Sequence, residues 1–223
     1  MPHGRFHFEG DLSLFLRPAL RGREVERSWS DTDTLMHVID SLGVPHTEVE
    51  RIEQDGDLIR VYPRPRERLE DPRFVLDQHL GRLARYLRML GFDVLHTVPS
   101  PDRELAAISS GEERVLLTRD VGLLKRKEVR RGYFVRATDP RAQLLEVVRR
   151  FGLVDSMAPF TRCFLCNIPL EHVDQGDVAD RLPERTAERH TEFQRCPDCG
   201  RVYWKGSHWD RMRGLIEDVR KET

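Results

Sequence analysis

A short apolar run followed by an acidic residue occurs three times in this chain, and this repeated pattern indicates its fold class. Three runs carry the pattern: Phe74–Leu76 leads to Asp77, Val94–Leu95 leads to Asp102, and Val115–Leu117 leads to Asp120. Leucines at helical spacing follow the first acid, so the pattern indicates strands that alternate with helices. In an open parallel α/β sheet the ligand site lies beyond the carboxyl ends of the strands. We therefore expect the three acids at one edge of a sheet, the layout of a metal-dependent phosphodiesterase.

Clustered carboxylates at such an edge suit a hard divalent cation. Carboxylates that are held close together repel one another and take up protons unless a cation lies between them, and oxygen ligands with open positions favour Mg²⁺ or Mn²⁺. The catalytic candidates are Asp77, Asp102, Glu104 and Asp120. Capping offers another explanation for two of them, because Asp102 suits a helix N-cap and Glu104 suits the first turn of a helix. Asp139, before Pro140, is either a further member of the site or an ordinary helix start.

The basic residues are concentrated in the segment that carries the acids. The whole chain has a formal net charge of -1, 34% charged residues and a mean hydropathy of -0.57, but residues 74–150 contain 15 basic and 10 acidic residues. Two groups are candidates for contacts with RNA phosphates: Arg82, Arg85 and Arg88 on the helix after Asp77, and Lys125, Arg126 and Lys127 after Asp120. A basic segment around clustered acids favours a nucleic-acid enzyme. The alternative is that both groups are solvated surface.

The N-terminal segment has the pattern of a small β-grasp unit. Phe6 and Phe8 alternate with polar residues as in a half-buried strand, and Val25–Trp29 suits an antiparallel partner. An amphipathic helix that ends at Gly43 and a last strand at Leu58–Tyr62 complete the unit.

Two stretches of this segment, Leu42–Val49 and Gly56–Pro63, resemble a ubiquitin-like module, related to the sulfur carriers of thiamine and molybdopterin synthesis, that precedes some bacterial nucleases. The resemblance implies a site for a protein partner. A sulfur carrier needs a free Gly-Gly carboxyl end, whereas Tyr62 is followed here by Pro-Arg-Pro-Arg, so sulfur transfer is not expected. Residues 65–73 have the composition of a stiff, solvated linker.

All four cysteines of the chain occur in two C-x₂-C pairs: Cys163 with Cys166, and Cys196 with Cys199. Two C-x₂-C pairs indicate a structural zinc site, and redox pairs or another metal are the alternatives. Four thiolates fill a tetrahedral site, so such a zinc would stabilise the fold without activating water. Beyond the second pair, Tyr203 and Trp204 either stack on unpaired bases or form the small core of the ribbon, and Lys205 and His208 are open as phosphate contacts.

An ordered set of motifs resembles the Mut-seven C-terminal RNase family, a PIN-like fold followed by a zinc ribbon. The motifs are Phe74–Asp77, Leu80–Asp93, Val115–Asp120 and Gly200–His208. The resemblance covers residues 74 to 213 and implies a nuclease whose motif acids fall on Asp77, Asp102 and Asp120. Glu104 is a second candidate for the position of Asp102, because the acidic stretch reads Pro-Asp-Arg-Glu-Leu.

The expected fold class is α/β, with a PIN-like parallel-sheet domain between two smaller parts. The expected boundaries are residues 1–64 for a degenerate β-grasp module, 65–73 for the linker, 74–155 for the nuclease domain, and 156–223 for the zinc ribbon and a C-terminal helix. The expected function is Mg²⁺- or Mn²⁺-dependent hydrolysis of RNA in the cytoplasm, without a membrane span. A non-catalytic RNA-binding protein and an adaptor that keeps the fold are the alternatives.

Overall fold

The computed structural model describes residues 1–183 and 186–223. The strands in this part of the chain are β1 (His3–Phe8), β2 (Val25–Ser28), β3 (Val49–Asp55), β4 (Leu58–Pro63), β5 (Arg73–Leu76), β6 (Asp93–Leu95), β7 (Val115–Thr118), β8 (Gly132–Phe134), β9 (Glu171–Val173), β10 (Phe193–Arg195) and β11 (Val202–Trp204). The helices are α1 (Leu35–Leu42), α2 (Gly81–Met89), α3 (Asp102–Gly111), α4 (Val121–Leu124), α5 (Pro140–Arg150), α6 (Thr186–Arg189) and α7 (Ser207–Glu222). The strands form three sheets, ordered β2-β1-β4-β3, β6-β5-β7-β8 and β11-β10-β9.

Backbone contacts divide the chain into two compact units. The first unit consists of Met1–Glu67, Val75–His79 and Thr97–Arg136, and the second of Arg68–Phe74, Leu80–His96 and Ala137–Thr223. The first unit thus joins the N-terminal sheet with β7 and β8. The boundaries expected for the linker, at residues 64 and 74, stay a prediction.

The N-terminal sheet confirms the expected ubiquitin-like module. β1 pairs antiparallel with β2 and parallel with β4, so that Phe6 and Phe8 are buried as their alternation predicts. Thr34 caps α1 by accepting a hydrogen bond from the N–H of His37, and the helix ends at Gly43. Gly43 has a φ of 120°, and a Cβ there would lie 2.7 Å from the carbonyl oxygen of Phe15, so no other residue fits this turn. β3 pairs antiparallel with β4 and was not predicted from the sequence.

The second sheet has the continuous apolar strands that are typical of parallel sheets covered on both faces. Phe74, Val75 and Leu76 of β5 are all buried, as is every residue of β7. β7 pairs parallel with β8, with Leu117 opposite Tyr133. This confirms the expected parallel α/β sheet, and it sets the strand ends from which the acids project.

Within the first unit, the N-terminal segment packs against the residues around β8. The carboxylate of Glu48 accepts hydrogen bonds from the N–H of Phe134, at 2.6 Å, and from the guanidinium of Arg136, at 3.0 Å. Phe15 packs edge-on against Phe134, with ring centroids 5.3 Å apart. Glu48 is 6% exposed, and its charge is therefore held by partners from outside residues 1–67.

The cysteine-containing segment forms a small ribbon followed by a long helix. β10 is the central strand and pairs antiparallel with both β9 and β11. α7 then runs from Ser207 to Glu222 and buries Ile216 and Val219. No helix in the described part of the chain combines the length and the apolar character that crossing a bilayer requires.

Candidate active site and metal centre

Asp77 lies directly after β5 as a buried, fully hydrogen-bonded carboxylate. Its side chain is 5% exposed. Oδ1 accepts the N–H of His79 at 2.8 Å, and Oδ2 accepts the N–H of Arg119 at 3.1 Å together with the hydroxyl of Thr118. An ionised carboxylate at the rim of an apolar sheet is costly unless it is hydrogen-bonded. These three donors hold the group in one position.

Thr118, the last residue of β7, connects Asp77 to Asp120. Its fully buried hydroxyl donates to Asp77 Oδ2 and accepts the backbone N–H of Asp120 at 2.9 Å. The two acids therefore occupy neighbouring strand ends with a fixed spacing, as the strand pattern predicts. Thr118 was not among the predicted site residues, although it sits in the quoted motif Val115–Asp120. A hydroxyl at the end of an apolar strand, two residues before an acid, was the available signal.

Asp120 has two different oxygen atoms. Oδ1 caps α4 by accepting the N–H groups of Gly122, at 2.6 Å, and Leu123, at 3.3 Å. Glycine suits position 122, because a Cβ there would lie 3.0 Å from that same oxygen. Oδ2 of this exposed residue makes no hydrogen bond to any part of the chain that the structure describes. Asp120 thus starts a helix with one oxygen and leaves the other available to a ligand.

Asp102 and Glu104 lie in the first turn of α3 and are exposed. The residue at the N-cap is Pro101, so the expected alternative of Asp102 as a capping residue is not what the fold shows. Neither carboxylate makes a hydrogen bond or an ion pair with the described residues, and neither is tied to Asp77 or Asp120. Their positions favour α3 through the helix dipole and leave both acids free for other ligands.

Asp139 caps the N-terminus of α5, as expected for an ordinary helix start. Its Oδ1 accepts the N–H groups of Arg141 and Ala142, both at 3.0 Å, and Pro140 occupies the first position of α5. This arrangement repeats the capping of α4 by Asp120. The two aspartates therefore form a natural pair for comparison.

The arginines of α2 do not share one exposed stripe. Arg82 and Arg85 are exposed, but Arg88 is 6% exposed. Its guanidinium donates to the carbonyl oxygens of Val94, at 2.8 and 3.0 Å, and Leu165, at 2.6 Å. At 3.6 residues per turn, position i+6 is rotated by about 120° from position i, which turns Arg88 toward the buried side. Burial also lowers the pKa of Arg88.

The second basic group, which follows α4, is partly engaged. Lys125 and Arg126 are half-buried, and Arg126 Nε lies 3.8 Å from a carboxylate oxygen of Glu128. Lys127 is exposed. Within the described chain Lys125 and Lys127 make no ion pair, so their charges are open to an anion.

The four cysteines form a compact sulfur cluster. One Sγ atom from each of Cys163, Cys166, Cys196 and Cys199 lies within 4.8 Å of every other. All four are free thiols. Their number, spacing and softness fit a tetrahedral zinc ion with no open position. Among the described residues, this is the one group of three or more metal-ligating side chains that the fold brings together; the carboxylates at the strand ends do not form such a group.

Other residues of the second unit position the cysteine cluster. The hydroxyl of Tyr203 lies 3.2 Å from Cys163 Sγ and accepts the N–H of Phe164 at 3.3 Å. Asn167, just after the first cysteine pair, accepts the N–H of Val94 at 2.9 Å and donates to Asp93 at 2.7 Å. Tyr203 therefore belongs to the small core of the ribbon, the second of the two roles considered for it.

Comparison with family models identifies both parts of the chain. The model described as the Mut7-C RNAse domain matches residues 72–216, and the one described as Mut7-C ubiquitin matches residues 1–68. Comparisons with curated proteins and with solved structures give no match. An RNase-family domain of this extent supports a nuclease-like function. The chain therefore belongs to the Mut7-C RNase family and carries the Mut7-C ubiquitin domain in front of its RNase domain.

Proposed function

We propose that this protein hydrolyses RNA phosphodiester bonds with Mg²⁺ or Mn²⁺, held by Asp77, Asp120 and an acid from the first turn of α3. The observation that carries the proposal is the buried Asp77 carboxylate, which the hydroxyl of Thr118 ties to the backbone of Asp120. A costly buried charge at a strand end, placed next to a second acid with a free oxygen, suits a functional site. Membership of the RNase family supports RNA as the substrate.

The available oxygen atoms fit the chemistry of such an ion. Mg²⁺ keeps several water ligands and is commonly bound by one or two protein carboxylates together with substrate phosphates. A preformed group of three acids is therefore not required. Oδ2 of Asp120 and the carboxylates of Asp102 and Glu104 make no hydrogen bonds within the described chain, so these oxygens bind an ion without breaking contacts in the fold.

Each acid has a separate role in the proposed reaction. Asp77 is the fixed ligand, because its three hydrogen-bond donors prevent it from turning away. Asp120 contributes the oxygen that does not cap α4, and Asp102 is the preferred third acid because the family motif falls on it. The bound ion would lower the pKa of a coordinated water and neutralise charge on the phosphate.

Cations of the chain must offset the repulsion between these acids and the RNA backbone. For this role we propose Arg82, Arg85, Lys125 and Lys127, which are exposed or half-buried and make no ion pair with the described residues. Arg126 contributes its charge while it contacts Glu128. Arg88 is excluded from this group because its guanidinium is occupied by backbone carbonyls.

The test is a pair of matched substitutions at two helix caps. Asp120→Asn and Asp139→Asn both replace a capping aspartate by asparagine, which caps about as well, and only Asp120 lies in the proposed site. Asp120→Asn should lower the rate of RNA cleavage roughly 100-fold or more, or about 3 kcal/mol of transition-state stabilisation. Asp139→Asn should leave it unchanged.

Cleavage of an unstructured RNA is followed with added Mg²⁺, with added Mn²⁺ and without an added divalent ion, using wild type and both variants. Equal rates for wild type and Asp120→Asn would contradict the assignment of Asp120. If wild type binds the RNA but leaves it intact with either ion, the protein is instead a non-catalytic RNA-binding member of the family.

A further inference from the structure

The second unit contains an aromatic cleft, and of the residues proposed above only Arg85 lines it. It has a volume of about 710 Å³ and is lined by residues of α2, by Phe164 and Leu165 between the first two cysteines, and by residues of β11 and the first half of α7. Most of its lining is apolar and aromatic. Folded proteins seldom leave such a surface open unless something binds there.

Three arginines border this cleft without a partner of opposite charge. Arg85, Arg201 and Arg211 are exposed, and none of them makes an ion pair or a side-chain hydrogen bond with the described residues. His208 also lines the cleft. The described lining contains no aspartate or glutamate. The cleft therefore favours an anionic ligand, and the separation of three charges along its border favours one that carries several negative groups.

Three of the five aromatic residues that line the cleft already have a ring partner. Phe164 and Tyr203 pack edge-on against each other, with ring centroids 5.0 Å apart, and Trp209 packs against a phenylalanine outside the lining, with centroids 5.3 Å apart. Tyr86 and Trp204 are half-buried and have no aromatic or cationic partner within the described chain. Their rings are therefore available to a flat ligand.

The position of the Trp204 ring is fixed by the residue that starts α7. A Cβ at Gly206 would lie 2.9 Å from Nε1 of Trp204, so the absence of a side chain at this position lets the indole pack against the backbone. Gly206 is also the N-cap of α7 and offers no side chain to the first N–H groups of that helix. The N–H groups at the start of a helix attract phosphate. Stacking surface, cations and helix start thus meet in one cleft.

We propose that this cleft binds unpaired nucleotides of single-stranded RNA, whose bases stack on Tyr86 and Trp204 while their phosphates contact Arg85, Arg201 and Arg211. The choice of RNA rests on the proposed ribonuclease function. Aromatic side chains bind any base whose face is free, and a duplex keeps its faces stacked. The cleft therefore selects single-stranded RNA over duplex RNA without reading its sequence.

The test measures affinity for a labelled short oligouridine and for a duplex RNA of equal length across a salt series. All proteins are full-length and carry Asp120→Asn, which keeps the helix cap and slows cleavage, so that the RNA survives the binding measurement. The variants are Arg85→Ala, Arg211→Ala, Trp204→Phe and Trp204→Ala. Arg220→Ala is the control, because Arg220 lies on the same helix as Arg211, is exposed and does not line the cleft.

Each cleft arginine should contribute to the salt dependence of single-strand binding. Arg85→Ala and Arg211→Ala should each reduce the slope of log K against log salt by about 0.7, the value for one phosphate contact with a single strand. Arg220→Ala should bind like the parent. Oligoadenosine should give the same pattern, because stacking tolerates any base.

Trp204→Phe tests stacking while it keeps an aromatic ring. Bound oligouridine should quench part of the tryptophan fluorescence of the parent protein, and this part should be absent in Trp204→Phe. Trp204→Ala should weaken binding roughly tenfold. The zinc content of Trp204→Ala is compared with that of the parent protein. If Trp204→Ala has lost zinc, its ribbon is damaged, and the fluorescence of Trp204→Phe decides the test.

The outcomes separate this inference from the proposed function. Arg211 decides the test, because Arg85 has a role in both proposals. If the slope of Arg211→Ala equals that of Arg220→Ala, or if duplex RNA binds as tightly as oligouridine, the cleft proposal is overturned, even if wild type cleaves RNA. If wild type does not cleave RNA but the slopes and the fluorescence change as expected, the cleft proposal stands and the ribonuclease proposal falls.

Discussion

Thr118 shows how one uncharged side chain sets the spacing of two acids. Its hydroxyl has a single proton, which it donates to Asp77, and it uses a lone pair to accept the N–H of Asp120. Because Thr118 is fully buried, water cannot replace either hydrogen bond. The relative position of the two acids therefore depends on this hydroxyl.

Two substitutions of Thr118 distinguish the contribution of its hydroxyl from that of its side-chain volume. Thr118→Val keeps the volume but leaves the N–H of Asp120 without its partner and removes a donor from buried Asp77, so it should cost about 1–3 kcal/mol of unfolding free energy. Thr118→Ser keeps the hydroxyl and should cost less. Urea denaturation of both variants measures this difference. Equal losses would mean that the methyl group of Thr118, and not its hydroxyl, is what matters here.

The positions of Asp77 and Asp120 were easier to predict from the sequence than those of their hydrogen-bond partners. Asp77 and Asp120 were predictable because apolar runs set the ends of β5 and β7. Thr118 was not, since nothing in one sequence shows that a hydroxyl near a strand end points toward a neighbouring strand. Arg88 was wrongly predicted to contact RNA for a related reason. Helical spacing gives the direction of a side chain around the helix, but it does not show which backbone carbonyls lie within hydrogen-bond distance.

At the scale of elements, the turn before β3 connects the N-terminal sheet to the segment after α4. His46 Nε2 lies 2.9 Å from the carbonyl oxygen of Val129, and Nδ1 lies 3.7 Å from the carboxylate of Asp40. The nearby carboxylate of Asp40 raises the pKa of His46, although burial and the charge of Arg64 oppose the shift. Protonated His46 therefore stabilises this connection.

This raised pKa predicts a stability that depends on pH. A histidine whose pKa is higher in the folded than in the unfolded state contributes fully below its ordinary pKa of about 6.5, and its contribution is lost as pH rises through the folded value. His46→Gln should therefore lose more unfolding free energy, relative to wild type, at about pH 5 than at about pH 8. His37→Gln, on the exposed side of α1, is the control. A deficit that does not change with pH would show that His46 acts as a neutral group.

The elements themselves were largely predictable. The end of α1 follows from Gly43, the extent of α2 from the leucine spacing, and the start of α5 from Asp139 followed by proline. β3 was missed because its residues, Val49–Asp55, are mostly charged and exposed and pair with β4 along one edge. An edge strand of this kind has no apolar alternation for a pattern to detect.

At the scale of the whole molecule, two kinds of core hold the chain together. The sheets of the first unit bury large apolar side chains such as Phe6 and Ile59, whereas the ribbon has short strands and few buried aliphatic residues. A segment with so small a core depends on its metal to fold.

Removing the metal should therefore unfold the ribbon alone. We expect about one zinc per chain by elemental analysis. After chelation, residues 160–210 should become sensitive to protease while the N-terminal sheet stays protected. Mass spectrometry of the fragments locates the cuts, and restoring zinc is the control. A reduced, zinc-free protein whose ribbon resists protease would show that the sulfur cluster is not the source of its stability.

The ion pair between Glu48 and Arg136 limits which chimeras of this protein can fold. Each of the two side chains lies in a part of the chain that matches a different family model. A recombination that exchanged residues 1–67 for a foreign ubiquitin-like sequence without an acid at position 48 would leave the Arg136 guanidinium short of its buried counter-charge. The N-terminal module therefore cannot be exchanged for any ubiquitin-like sequence. The replacement needs an acidic residue at the position of Glu48.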